Sequence, residues 1–392
     1  MVKNKNFLIK LQFFFIFLIP LTPHLSISPN FQLDDIPVIL SLIFFVFNFY
    51  FKNFDSLYIK ECIPFIIFIT YISVQNFIIN DAFIYSENLR FIFYLTIFVS
   101  VLNIKKIEFL DQYFLSLLLF TSIFSILFYF LEYNFGSDSY KYWKIGFNEN
   151  RWIFTNGRMN GLQSGGPNVF GGLIACLTVY CASKFKNIYK YFVIFLGVLG
   201  CFFTYSRASI LIIALSLILY LILNKDVVGI ITLSVSITIC LNFGLIERFS
   251  SESETEGIQD RIEMQEASIS NISSRSLNDN LFGYGHNNFG IVRSELKSIE
   301  EFSDDIRPTG PHNSFLFIIL NYGFIGLLLF LNLFLKSLRI FFKQFDVNLL
   351  SSNYLFMGSF IALSLTGDFI QNHSISVLFF ITLFQSIKLG NK

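Results

Sequence analysis

The sequence predicts an all-α integral membrane protein of about twelve transmembrane helices, with a large outer loop between spans nine and ten. Three observations carry that prediction. Apolar residues make up 54% of the chain and charged residues only 14%, with 53 phenylalanines, a balance that would leave a water-facing surface far too apolar. Apolar runs long enough to cross a bilayer recur along the whole sequence. The basic residues also segregate: fifteen of the eighteen lysines fall on one side of the implied membrane and nine of the ten arginines on the other. The net charge of +1 carries no information beside that asymmetry and gives no footing for nucleic-acid binding.

Lys3, Lys5 and Lys10 precede the apolar stretch from Phe7 to Leu21, and no small-residue cleavage site follows, so this segment reads as an uncleaved first span. Further runs lie at about 36–51, 62–80, 90–104, 109–131, 167–184, 188–204, 207–223, 226–245, 313–335, 352–367 and 374–388. With the N-terminus inside, the inner loops hold Lys52, Lys60, Lys105, Lys106, Lys184, Lys186, Lys190, Lys225, Lys336, Arg339 and Lys343. The short outer loops hold almost none, which is the positive-inside pattern and fixes both termini on the inner side. Cys62, Cys176, Cys181, Cys201 and Cys240 lie in or beside apolar runs without metal or disulfide spacing and read as core residues.

No internal repeat or linker divides the chain, so residues 1–392 form a single polytopic domain. Two outer loops are long, 132–166 and 247–312, and only these are rich in charge, Gly, Ser and Asn. Any chemistry is therefore expected outside. Glu252, Glu254 and Glu256 lack the interleaved ligands and glycine of a calcium loop and read as a solvated loop edge.

Lysine in short loops is a topological signal, whereas arginine presents a planar fork suited to phosphate or carboxylate. Arg158, within Gly157 to Gly161, precedes Gly165, Gly166, Pro167 and Asn168, where the sixth span starts; the glycines and proline alone fit an ordinary helix start better than a binding site. Thr204, Tyr205, Ser206 and Arg207 separate spans seven and eight by a few residues. That places Arg207 at the outer boundary with Ser206 as candidate N-cap, and the alternative is an arginine snorkelling to headgroups. The long loop carries Arg261, then Leu281, Phe282, Gly283, Tyr284 and Gly285, and closes with Gly310, Pro311, His312, Asn313 and Ser314.

His312 is the best general-base candidate, because the positive end of a helix dipole disfavours imidazolium and keeps the ring able to accept a proton. A positioned base near an ordinary histidine pKa of about 6.5 is the expectation. The alternative is a histidine that merely caps the helix or hydrogen-bonds a carbonyl. His373, with Asp368, is a weaker second candidate, and His24 and His286 lack comparable company. Spans six, eight and ten all start from the outside, so three helix N-termini are expected to converge on a polyanion such as a diphosphate, with Arg158, Arg207 and Arg261 as counter-charges.

These residues resemble the O-antigen ligase and O-antigen polymerase superfamily, bacterial membrane glycosyltransferases with a large periplasmic loop late in the chain. The resemblance is most specific from Thr204 to Gly326, through Thr204 to Arg207, Arg261, Leu281 to Gly285, His312, Asn313, and Asn321 to Gly326, within a ligase-like core at 204–335. It departs at Asn321, where many relatives are expected to be acidic. The resemblance implies a polyprenyl-phosphate-dependent (GT-C) glycosyltransferase fold in the bacterial inner membrane, with its site in the periplasm. It implies an undecaprenyl-diphosphate-linked glycan donor, no cofactor and no metal, and transfer with inversion onto lipid A core or another glycan acceptor, among membrane lipids and polysaccharide-assembly partners. In that scheme Arg207 and Arg261 hold the diphosphate, Arg158 assists, and His312 takes the acceptor proton. Ser206, Asn313, Gly283, Gly285 and Asn168 support the site. The terminal His312–Asn313 element leans toward a ligase over a polymerase. A carrier for lipid-linked sugars is the competing class, but carriers place polar or broken helices near the midplane in both halves of the chain.

Overall fold

The computed structural model describes residues 2–22, 26–28, 31–54, 58–80, 85–104, 108–135, 154–155, 158–159, 166–243, 252–285, 311–343, 352–367, 369–370 and 372–390. Among them the chain is helical apart from two minimal antiparallel ladders. The helices are α1 (Val2–Leu18), α2 (Asp35–Tyr50), α3 (Ile59–Asn80), α4 (Tyr85–Asn103), α5 (Glu108–Phe135), α6 (Gly166–Lys184), α7 (Asn187–Phe202), α8 (Arg207–Leu223) and α9 (Val227–Asn242). Then follow α10 (Glu252–Ser274), α11 (Leu277–Phe282), α12 (Ser314–Lys343), α13 (Ser352–Ser364) and α14 (His373–Gly390). The ladders pair β1 (Ser26–Ser28) with β2 (Phe31–Gln32) and β3 (Phe154–Thr155) with β4 (Arg158–Met159).

A helix falls on each predicted apolar run. Four are long and apolar enough to cross a membrane, over Lys60–Ile79, Glu108–Phe130, Gly166–Lys184 and Ser314–Ile340; most of the others are shorter apolar helices. Large apolar side chains such as Tyr50, Ile78, Leu215 and Leu328 stay exposed on the outside of the bundle, a surface that suits lipid and not water.

The bundle is built around α6, which packs on α5, α7, α8 and α13 and is buried along nearly its whole length. Its sequence explains the position: Gly171, Gly172, Ala175, Cys176, Thr178, Cys181 and Ala182 present little bulk, so neighbouring backbones approach closely. A Cβ on Gly171 would lie 2.5 Å from Thr204 Oγ1 and 2.9 Å from Ser206 Cβ, so α6 touches the turn that opens α8. Elsewhere phenylalanines fill the gaps, as where Phe380 and Phe384 of α14 pack against Phe65 of α3 and Phe98 of α4.

The segment read as a second long loop, 247–312, differs from expectation. Residues 252–274 form α10, and the acidic run Glu252, Glu254, Glu256 lies in its first turns instead of on a loop edge. The helix forms because Met264, Ser268 and Asn271 recur at helical spacing and bury one face, which leans on α12.

Candidate functional site

The start of α8 is held in a strained turn. Tyr205 has φ of +49°, a left-handed conformation costly for a bulky residue. Its hydroxyl lies 2.9 Å from that of Tyr129 on α5 and donates to the Phe243 carbonyl at 3.3 Å, which fastens the turn to α5 and the end of α9. Ser206 occupies the N-cap position with extended backbone, but its Oγ pairs with Ser209 Oγ at 2.8 Å and makes no capping bond. Ser209 in turn donates to the backbone carbonyl of Asn168 in the first turn of α6, at 3.4 Å. Ser206 and Asn168 thus join α6 to α8 and place Arg207, partly buried, at the first position of α8.

The start of α12 is tied to the same region. Asn313, not His312, is the cap: its Oδ1 accepts from the Phe315 and Leu316 amides at 3.0 and 3.2 Å. Its Nδ2 donates to Leu365 O at 3.2 Å, Ser314 Oγ donates to Gly367 O at 2.9 Å, and the Ile370 amide donates to Ser314 Oγ at 3.2 Å. The neighbouring Phe369 ring would meet a Cβ on Gly172 at 2.5 Å, so the turn between α13 and α14 is wedged between α6 and α12. Through these contacts the turn between α13 and α14 links the start of α12 to α6, which itself touches the turn that opens α8.

His312 sits one residue outside that cap, also left-handed at φ of +49°. Gln265 of α10 donates to its carbonyl at 3.4 Å. Arg261 lies one turn before Gln265 on the same helix. The imidazole is pushed down to a pKa of about 4, first by burial and then by the Arg261 charge. Helix α10 therefore brings Arg261 and His312 together, and the ring is neutral at physiological pH. The sequence reading expected a base near its ordinary value of about 6.5, and the desolvated setting beside a guanidinium is what lowers it.

Gly283 and Gly285 do other work. Helix α12 is broken at Gly323, with φ of +67° and ψ of −175°, and the carbonyls freed by the break all meet protein donors. The Tyr284 and Gly285 amides donate to Leu320 and Asn321 oxygens at 2.9 Å each. Gln75 Nε2 of α3 donates to Asn321 O at 2.6 Å and Tyr71 Oη to Tyr322 O at 2.7 Å, while Arg275 Nη2 reaches Ile319 O at 3.2 Å. Gly283, at φ of +77°, passes so near that a Cβ would lie 2.5 Å from Asn321 O. Asn321, the departure from the expected acidic residue, is buried and donates from Nδ2 to Phe317 O at 2.8 Å.

Arg158 has its backbone in β4, opposite Thr155 and against α5 and α6, and its side chain lies outside the described residues. His373 is apart from this site, with Nδ1 3.3 Å from Tyr94 Oη and its ring against Phe93. Asp368, His24 and His286 lie outside the described residues. Among the described residues, no three His, Cys, Asp or Glu side chains form a group that could hold a metal ion. Sequence reading missed Gln265, Arg275, Tyr71 and Gln75. Gln265 was findable from its spacing to Arg261 and the α3 pair as polar residues four apart in an apolar run, whereas nothing marked Arg275 among the loop's other charges.

Residues 192–331 match the O-antigen ligase family model. The match spans just over a third of the chain, from α7 through the first half of α12, and supports placement in the O-antigen ligase superfamily. It contains Arg207, Arg261, His312 and the break at Gly323, while Asn168 and Arg158 fall before it. No curated protein matches the chain. The helical fold, with four helices long and apolar enough to cross a membrane, is compatible with a membrane protein, and residues 192–331 are similar to the O-antigen ligase family.

Proposed function

We propose that this protein transfers a glycan from undecaprenyl diphosphate to an acceptor hydroxyl at the periplasmic face of the bacterial inner membrane, as an inverting, metal-independent O-antigen ligase. The observation that carries the reading is the neutral His312 held beside Arg261 at the start of α12, which the turn between α13 and α14 links to α6. Twelve crossings with both termini cytoplasmic, a GT-C architecture and a catalytic core at 204–335 complete the proposal, supported by the helices on each apolar run and the lysine bias.

In the reaction the acceptor oxygen bonds to the anomeric carbon as the bond from that carbon to the diphosphate oxygen breaks. The hydroxyl proton passes to His312. Arg207 and Arg261, with Arg158 assisting, meet the charge that develops on the departing undecaprenyl diphosphate, which then leaves without needing a proton. The diphosphate also bears on the base. Negative charge beside Arg261 offsets the field that depresses His312, so donor binding raises the basicity of the imidazole in the complex that needs it.

The test is the glycolipid profile of cells lacking the protein, resolved beside the polyprenyl-linked pool. Full-length polymer stranded on the carrier supports the ligase. Single repeats capped on the final acceptor would instead identify a polymerase, the second reading, which the same site chemistry serves. An unchanged profile would defeat both.

A further inference from the structure

We infer that Arg275 is a positioning residue for this reaction: it locks α10 onto the half-helix 314–322 and so keeps Arg261 beside His312. The inference rests on the proposed roles of Arg261 and His312, and it is carried by geometry at the far end of α10 from both.

The half-helix 314–322 is fixed at each end. At the top the Asn313 cap and the Ser314 hydroxyl hold it to the turn after α13. At the bottom the break at Gly323 is filled by Tyr71, Gln75, Tyr284 and Gly285. Helix α10 meets this fixed piece through a named polar bond near each end, with Gln265 on His312 O and Arg275 on Ile319 O. The first is a long 3.4 Å bond from a neutral amide, and the second comes from a guanidinium that is itself gripped. Arg275 Nε donates to Asn280 Oδ1 at 2.6 Å, and its Cζ stacks 5.2 Å from the Tyr284 ring. One planar group therefore joins the end of α10, α11, the Gly283–Gly285 segment and the broken turn of α12.

Ile319 lies seven residues from His312 and Arg275 ten from Gln265, so the two helices run in the same direction. Sliding or tilting of α10 along α12 would separate Arg261 from His312 at one end and pull Arg275 from Ile319 O at the other. Charge-assisted donation to a carbonyl at a helix break resists that motion more than the Gln265 bond does. Arg275 touches neither donor nor acceptor in this arrangement. Its effect on the reaction passes through Arg261.

The experiment is a double-mutant cycle in purified protein, with the lipid-linked glycan that accumulates in a deletion strain as donor and the matching glycolipid as acceptor. Arg275→Gln is expected to lower kcat roughly 10- to 100-fold, because small misplacements of a catalytic charge cost that much. It should also raise the donor KM while leaving the acceptor KM unchanged. A merely structural loss would reduce the active fraction and move neither KM. In an Arg261→Gln background, Arg275→Gln should add little, since the group it positions is gone. Equal, additive losses in both backgrounds, or an Arg275→Gln enzyme with wild-type constants, would overturn the inference while leaving the diphosphate reading intact. An Arg261→Gln enzyme with wild-type constants would sink the diphosphate reading itself and the inference with it. Should Arg275→Gln fail to fold, Asn280→Ala removes only the Nε acceptor and must show the same donor-KM signature at smaller size; an unchanged donor KM in that variant would equally defeat the inference.

Discussion

Arg261→Gln should shift the acid limb of the pH–rate profile upward, and the structure says by how much. His312 lies at about 4 in the free protein, against an ordinary histidine value of 6.5, with burial the larger cause and Arg261 the second. Burial survives the substitution, so removing the guanidinium returns less than half of that interval and leaves the limb of kcat/KM for donor between about 4 and about 5. The sign follows from the protonation state: a positive neighbour disfavours imidazolium, and its loss lets the ring take up a proton at higher pH. In wild-type protein the same logic separates two profiles. The limb of kcat/KM reports free enzyme, and the limb of kcat reports the complex in which diphosphate charge offsets Arg261, so the kcat limb should lie higher. The assay is initial-rate transfer from pH 3.5 to 8 with recovery at pH 7 checked after each exposure. A wild-type kcat/KM limb near 6.5 would refute the burial of His312 beside Arg261. An unmoved limb in the variant would show that Arg261 exerts no field on the ring.

His312→Ala should slow transfer by a factor of about 100 to 10,000 while donor affinity, read by binding of the polyprenyl-linked glycan, stays nearly constant; equal loss of binding would remove the base assignment. Arg207→Lys should be damaging although it keeps its charge, because an ammonium cannot reproduce a planar bidentate grip, and full transfer activity in that variant would take Arg207 out of the diphosphate site. Gly323→Ala forces a side chain into a glycine-only conformation and onto the Leu281 carbonyl, so it should cost at least about 1–3 kcal/mol of stability, seen as a lower thermal inactivation temperature in detergent. Asn313→Ala removes the α12 cap and should cost about 1 kcal/mol by the same measurement, whereas Asn313→Asp, which keeps the acceptor oxygen for the two amides but loses the Nδ2 donor to Leu365 O, should restore only part of it.

The helices were legible because each apolar run is long enough to be read as a helix residue by residue, and four of them reach the length that a bilayer demands. The places of Arg207 and His312 at helix starts were legible for a related reason: charged or titratable residues abutting an apolar run are conspicuous. Helix α10 was not, since its buried face of Met264, Ser268 and Asn271 is too polar to separate from a solvated loop until α12 is placed beside it. The capping role attributed to Ser206 failed for a similar reason. Its neighbour Ser209, three residues on, offers a hydroxyl in competition with the backbone amide, and which partner wins depends on Asn168 from another helix.

The break in α12 decides how such a feature is understood. A discontinuous helix inside a membrane bundle is the usual mark of a carrier, whose unwound carbonyls take a coupling ion and whose half-helices move. Here the sequence Asn321, Tyr322, Gly323 produces that discontinuity, but every carbonyl from Ile319 to Tyr322 accepts a donor from the protein itself: a guanidinium, two amides, a glutamine and a tyrosine hydroxyl. Opening the break would strand those donors in a low-dielectric setting at a cost of about 1–3 kcal/mol each, and more for the charged Arg275. The half-helix is therefore a platform and not a gate. The proposed transfer needs such a platform, since in it the base must stay fixed relative to the cations that hold the leaving group, and His312, proposed as that base, lies at the end of this one with Arg261 beside it.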